Sequence, residues 1–360
     1  MIQQLDKKIS TRELFALIAI VISLKLTDTT SVIVYKIGKN AGWMVPIVSM
    51  VTILIPFLML LSLLKKYKKG LFDIMRELLG NYIACFTGII MFFLLVFTIS
   101  VNSRGYIDIM QSLYLPRTPQ FLVYFILIGT SYFLARLGLR TICGLSAVLF
   151  PAMILAISIA WTDMRLGFLL PIFGAGIKPI LVGGAANGAI VGEVLILPLI
   201  FEEIKGYKEF KIGSLLGLVT AVLAMAIFFI AFVAIFDYPP VVIINYLYQS
   251  FVRFIHVGRF FSNLDAFYLI FWVFASIIRF SLFLYVAVIC LTSALKLKDI
   301  KTLLIPVSSI VIMLGSLPDN FVTYSKLREI NLYINLIFFG GTAFILFAIS
   351  KVKGGRKNET

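Results

Sequence analysis

Long apolar stretches separated by short polar connections run along nearly the whole chain. An apolar stretch of about 18 residues or more is long enough to cross the hydrocarbon of a bilayer as a helix. By that measure the chain predicts ten spans, at 13–34, 43–64, 81–111, 119–135, 140–161, 179–201, 212–236, 264–295, 302–318 and 330–350. The stretches 43–64, 141–161, 212–236 and 330–350 carry no charged residue. Runs of Val, Ile and Phe would suit strands in water. Length, and the need of backbone groups in lipid to bond within their own segment, assign them to helices. The first span follows Lys7, Lys8 and Arg12 as a signal peptide would, but its length, its internal Lys25 and Asp28 and the nine later spans predict a retained helix. Segment 70–81 sets apolar residues at helical spacing opposite Asp73, Arg76 and Glu77, which predicts a short amphipathic helix at the membrane surface. Segment 245–261, aromatic and basic, predicts an interfacial helix on the other side. The longest connections, 162–178 and 237–263, are loop-sized, so residues 1–360 read as a single membrane domain.

Composition agrees with the pattern. The 360 residues are 61% hydrophobic and 14% charged, with a mean hydropathy of +1.04. Soluble domains run at about 45–50% apolar and about 25% charged, so a soluble enzyme, a secreted disulfide scaffold and a disordered chain are excluded. Lys and Arg number 32 against 17 Asp and Glu, a net charge of +15. With the N-terminus placed in the cytoplasm, 20 of the cations fall in cytoplasmic segments, 9 in the opposite ones and 3 inside spans. That asymmetry orients helices in a bilayer and gives no reason to invoke nucleic acid. It also explains the basic runs at 65–69 and 351–357 as solvated anchors near anionic lipid. Cys85, Cys143 and Cys290 lie within apolar stretches and read as buried hydrophobes, and His256 reads as a solvated residue in a polar connection. Neither cofactor nor metal is predicted: no Cys/His cluster has ligand spacing, and no nucleophile–base set or phosphate loop is present.

Ionisable residues within a span are costly and are candidates for function. Six stand out: Lys25 and Asp28 in span one, Arg104 and Asp108 in span three, Glu193 in span six and Arg279 in span eight. Counted from the span ends, Lys25, Asp28, Glu193 and Arg279 fall near mid-membrane, with formal charges that cancel. Arg104 and Asp108 are four residues apart and share a helix face. These charges either pair and hold helices together or line a ligand or ion pathway. Two low-propensity stretches accompany them: the polar LKLTDTTS at 24–31, and GGAANGAIVGE at 183–193 followed by Pro198. Such glycines either pack closely against a neighbouring helix or break the span. Broken helices whose free N–H and C=O groups line a central site are how secondary transporters hold small charged solutes. A zwitterionic amino acid suits a site of that kind, its carboxylate at helix N-terminal amides and its ammonium at carbonyls or an acid. Interruptions in the first helix of each half of a ten-helix chain suggest a 5+5 inverted repeat, 13–161 and 179–350. In the LeuT-type arrangement helices 1, 3, 6 and 8 surround the substrate, and those four carry the buried charges.

The motifs ISTRELF (9–15), AGW (41–43), LPRTP (115–119), ARLGLRTICGLSAVLFP (135–151), GEVLILPLIFEE (192–203) and GRFFSNLDAFYLIFWVFASIIRFSLFLY (258–285) run in order along the chain. In that order and spacing the chain resembles the B subunit of the spore germinant receptors (GerAB-type), a branch of the amino acid–polyamine–organocation superfamily. The resemblance implies the LeuT fold with helices 1 and 6 broken, and nutrient sensing in the inner membrane of a dormant spore. It implies as partners an A subunit with membrane and soluble parts and a lipoprotein C subunit. The candidate ligand-binding residues are Lys25, Thr27, Asp28, Thr29, Thr30, Arg104, Gly188, Gly192, Glu193 and Arg279. Two functions remain open: a receptor subunit whose ligand shifts the conformation of a complex, and a free-standing secondary transporter of amino acids. The charge asymmetry predicts that both termini face the cytoplasm, with 162–178 and 237–263 on the opposite side. Cysteine labelling checks this, and accessibility of 351–360 from outside contradicts it.

Overall fold

The computed structural model describes residues 8–159, 164–254, 264–297 and 299–356. Helix α1, Thr11–Ser23, begins where Ser10 and Glu13 cap one another reciprocally, which satisfies two backbone donors that the first turn leaves orphaned. It ends early. Leu24–Thr27 tightens into a 3-10 turn, and Asp28 is extended, with φ −106° and ψ −169°. The helix resumes as α2, Thr30–Gly38, and a second 3-10 segment, Lys39–Met44, leads into α3, Val45–Tyr67. Helix α4, Leu71–Leu79, is the amphipathic helix expected at 70–81, with Leu71, Phe72, Ile74, Met75 and Leu78 buried. Then come α5, Asn81–Leu113, α6, Gln120–Leu137, and α7, Leu139–Ile159. Helix α8, Ile177–Ala186, stops at Asn187, and the chain continues as a long 3-10 segment, Gly188–Glu203. Helix α9, Tyr207–Phe236, is followed by α10, Pro240–Ile243, and α11, Leu247–Phe254. Helix α11 falls on the first part of the interfacial helix expected at 245–261; the remainder, with His256, lies outside the described residues. The chain closes with α12, Leu264–Leu295, α13, Lys301–Gly315, and α14, Phe321–Arg356.

Among the described residues, eight helical stretches are long and apolar enough to cross a membrane, and the chain is a multi-pass membrane protein. They correspond to eight of the ten stretches expected. The stretch at 13–34 is divided by the break after Ser23, and α13, at 302–318, is a shorter apolar helix of 15 residues. Large apolar side chains face outward, among them Ile55, Phe86, Phe121, Phe125, Phe133 and Ile337, an exterior suited to lipid rather than water.

Within the bundle, α9 lies against α1 and α12 against α5 and α6. The α1–α9 contact depends on glycine. A Cβ at Gly217 would come within 2.8 Å of Ile18 Cβ and 2.9 Å of the Phe15 carbonyl oxygen, and one at Gly213 within 3.1 Å of the Thr11 carbonyl oxygen. The two glycines are four residues apart on one face, the spacing by which helices approach closely in lipid, where dispersion replaces the hydrophobic effect. Polar ties join the helices at specific points. The Tyr35 hydroxyl donates to the Phe229 carbonyl at 2.7 Å, and the Ser49 hydroxyl to the Gly184 carbonyl at 2.9 Å. Helix α14 has 36 residues, about 54 Å at the usual rise. Near its C-terminal end the Lys66 ammonium donates to the Ser350 carbonyl, and the Lys353 ammonium to the Leu78 carbonyl, each at 3.0 Å. Replacing Gly217 by Ala forces α1 from α9 and should lower stability by about 1–3 kcal/mol, read as a lower Tm in detergent. A Cβ at Gly340, inside α14, meets open space, so Gly340→Ala should not destabilise and should raise stability by about 0.5–1 kcal/mol through helix propensity.

Candidate functional site

A helix that restarts inside a membrane presents first-turn N–H groups without partners. Asp28 answers this at α2: its Oδ1 accepts from the Thr30 N–H at 2.9 Å and from the Thr30 hydroxyl at 2.6 Å. The same oxygen lies 2.6 Å from Arg328 Nη2 of α14. Arg328 also donates to the hydroxyls of Thr29 and Thr30, each at 2.7 Å. From α12, Arg279 bridges the two breaks. Its Nη1 is 4.0 Å from Asp28 Oδ2, and its Nη2 is 2.5 Å from Glu193 Oε1 in the 3-10 segment after α8. Lys25 Nζ is 2.8 Å from that same Glu193 oxygen. The side chains of Lys25, Arg279 and Arg328 are each 1% exposed, so removing any partner strands a charge away from water.

Aromatic residues close one side. The Tyr106 hydroxyl of α5 accepts from Arg279 Nη1 at 3.2 Å and lies 3.5 Å from the Thr27 hydroxyl. Tyr106 stacks on Trp272 with centroids 5.1 Å apart and planes 6° apart, and the Trp272 indole N–H donates to Thr27 Oγ1 at 3.1 Å. The Thr27 hydroxyl in turn donates to the Leu24 carbonyl at 2.8 Å, inside the 3-10 turn.

The cluster holds three cations, Lys25, Arg279 and Arg328, and two carboxylates, Asp28 and Glu193, which leaves one positive charge in excess. Asp28 Oδ2 and Glu193 Oε2 are buried and accept no hydrogen bond among the described residues. Beside Lys25 and Glu193 is a cavity of about 30 Å³ lined also by Thr98, Asn102, Gly192 and Asn331. Its polar wall is organised: the Asn335 amide donates to Thr98 Oγ1 and to Asn331 Oδ1, both at 2.9 Å. Near Thr27 is a second, apolar cavity of about 20 Å³, with Met153, Phe228, Tyr248 and Trp272 in its lining. Spaces of this size hold about one water each.

Seven of the residues predicted for a site come together here: Lys25, Thr27, Asp28, Thr29, Thr30, Glu193 and Arg279. Gly192 lines the polar cavity. Gly188 is placed differently. A Cβ there would meet Thr52 at 3.6 Å and Leu336 at 3.9 Å, ordinary contacts toward α3 and α14, so close backbone approach does not require this glycine. Arg104 bonds Asp108 at 3.1 Å as a pair within α5, apart from the five charges. The α2 amides, expected to face a ligand carboxylate, are met at Thr30 by the chain's own Asp28.

Sequence reasoning missed Arg328 because the tenth span was begun at residue 330. A signal was present. The Asn320 side chain accepts from the Thr323 N–H at 2.9 Å, an N-cap that starts α14 at Phe321 and carries Arg328 two turns into the helix. Tyr106 and Trp272 carried no such signal, since uncharged aromatics do not stand out in apolar spans.

A model of the family described as spore germination protein matches residues 8–322. The chain belongs to the spore germination protein family and is a germination-related membrane protein. Two relatives come from Bacillus subtilis (strain 168). One is YfkT, whose name places it with spore germination; it is 24% identical over 349 residues, which cover 92% of this chain and 94% of that protein. The other is spore germination protein KB, 24% identical over 254 residues, 68% of each chain.

Replacing Arg328 by Met leaves Asp28 with Arg279 alone, at 4.0 Å, and should cost about 3–5 kcal/mol of stability. The double variant Arg328→Met/Asp28→Asn removes both charges and should recover much of that loss. Thermal unfolding of the four proteins of this cycle measures the coupling, and additive losses contradict it.

Proposed function

We propose that this protein is the membrane subunit of a spore nutrient-germinant receptor, binding a small zwitterion such as an amino acid at the bilayer midplane. The observation that carries this reading is the chemistry of the charge cluster. One uncompensated cation suits a ligand carboxylate, and the two unbonded oxygens, Asp28 Oδ2 and Glu193 Oε2, suit a ligand ammonium. A ligand carboxylate competes with Glu193 for Lys25 and Arg279. The two cavities, of about 30 and about 20 Å³, are smaller than an amino acid, so entry parts the helices around the cluster. Binding is then coupled to a change of shape, as a receptor requires.

In this reading the chain is a single membrane domain, its halves 13–161 and 179–350 forming a LeuT-type 5+5 repeat of ten spans broken in the first and sixth. It resides in the spore inner membrane with both termini cytoplasmic, beside an A subunit and a lipoprotein C subunit. The broken spans also suit a free-standing amino-acid transporter, and one experiment separates the two. The gene is deleted, spores are challenged with single nutrients, and the purified protein is assayed for uptake in proteoliposomes. Lost germination without uptake is the expected outcome; uptake with normal germination contradicts the receptor.

Lys25 adds a second expectation. Its ammonium neutralises Glu193 at 2.8 Å, beside the span-one break where LeuT-type proteins commonly help hold sodium. The response should therefore be the same in sodium and in choline. The Lys25→Met variant should lose it or acquire a dependence on sodium or pH. A sodium requirement in the unmodified protein that Lys25→Met leaves unaltered contradicts this role.

A further inference from the structure

Away from the charge cluster, at the end of the bundle that bears residue 8, lies a cleft of about 780 Å³ whose lining includes five lysines: Lys8, Lys65, Lys68, Lys69 and Lys205. They come from three separate segments. Lys8 precedes α1, Lys65, Lys68 and Lys69 lie at and beyond the end of α3, and Lys205 follows the 3-10 segment after α8. Lys69 is paired with Glu77 at 2.8 Å. Lys8, Lys65, Lys68 and Lys205 have no carboxylate within ion-pair distance among the described residues, and all four are exposed.

The backbone builds this arrangement. Ile9 N–H donates to the Glu203 carbonyl at 3.0 Å, and Lys205 N–H returns to the Ile9 carbonyl at 3.2 Å, a parallel bridge that pairs Ile9 with Ile204 and brings the segments bearing Lys8 and Lys205 to one cleft. The Gly70 N–H donates to Glu202 Oε1 at 3.0 Å, and a Cβ at Gly70 would collide with the Glu202 side chain. The chain reverses at Lys68, in the left-handed region at φ 54°, which turns the lysine run at 65–69 toward that contact. Like charges held together by backbone bonds repel, and a bound anion relieves the repulsion. Phe201, Ile204 and Tyr207 share the lining with one carboxylate, Glu202, which the Gly70 N–H engages, so the cleft is basic in balance with an apolar and aromatic wall, as the boundary between headgroups and acyl chains demands.

We propose that this cleft binds the phosphodiester headgroup of an anionic phospholipid. The bound headgroup joins the start of the first span, the end of α3 and the end of the sixth-span segment. The first and third of these lead to the two breaks, so the lipid holds the start of the first broken span and the end of the sixth in one arrangement.

The full-length protein is reconstituted in nanodiscs of phosphatidylcholine alone or with phosphatidylglycerol, and lipid retained after detergent extraction is counted by native mass spectrometry. The test variant is Lys8→Gln/Lys65→Gln/Lys205→Gln, which leaves the left-handed Lys68 untouched. The control Lys296→Gln/Lys301→Gln removes charge outside the cleft. At roughly fivefold per lysine near a surface, the triple variant should lose phosphatidylglycerol affinity by on the order of a hundredfold. The control and phosphatidylcholine retention should be unaffected, and thermal stabilisation by phosphatidylglycerol should vanish only in the triple variant. Equal retention in the triple variant and the unmodified protein overturns the proposal, as does an equal loss in the control. Millimolar inorganic phosphate stabilising the protein as well as phosphatidylglycerol does would assign the cleft to a soluble anion and overturn it. So would protection by an acidic peptide with phosphatidylglycerol without effect.

Discussion

Everything at the centre of the molecule hangs on how Asp28 is satisfied. A helix interrupted among apolar neighbours exposes amides and needs acceptors. Asp28 supplies an acceptor to Thr30 through the oxygen that also meets Arg328. The carboxylate is thereby at once a helix cap and half of an ion pair. A carboxylate in such a place requires cations, and those cations draw α12 and α14 inward. Arg279 then needs Glu193, and Glu193 needs Lys25. One break in the first span thus determines where three other segments place their charged side chains.

The exterior follows a simpler logic. Its apolar side chains face a solvent that rewards no helix–helix contact by itself, so adhesion comes from close fit and a few bonds. Gly213 and Gly217 let α9 reach the backbone of α1. Tyr35 and Ser49 each donate to a carbonyl on a neighbouring helix.

Much of this was legible in the chain. Span length alone located the apolar helices, the 3.6-residue period at 70–81 found α4, and the expense of charge in lipid singled out Lys25, Asp28, Glu193 and Arg279. That Lys25 pairs with Glu193 rather than with Asp28 was beyond sequence, since depth along a span does not say which way a broken backbone turns. Arg328 was hidden by its polar neighbours, Lys326 and Glu329, which made the first turns of α14 resemble a loop. Gly188 misled for a different reason: glycine marks a possible close approach, and at this position nothing approaches closely. The formal neutrality of the four charges read from sequence was likewise upset by Arg328, whose helix extends further than hydropathy alone indicates.

Helix α14 carries Arg328 near one end and Lys353 near the other, 25 residues apart, or about 37 Å along a straight axis. It grips Asp28 at the first point and the carbonyl of Leu78 on α4 at the second. A rod fastened at two such points acts as a lever. A tilt of about 5° about Arg328 sweeps the far end by roughly 3 Å at that helix length, enough to break a hydrogen bond at α4. Ångström-scale rearrangement around Asp28 therefore reaches the amphipathic helix at the membrane surface by rigid geometry, with no chain of side-chain rearrangements between them.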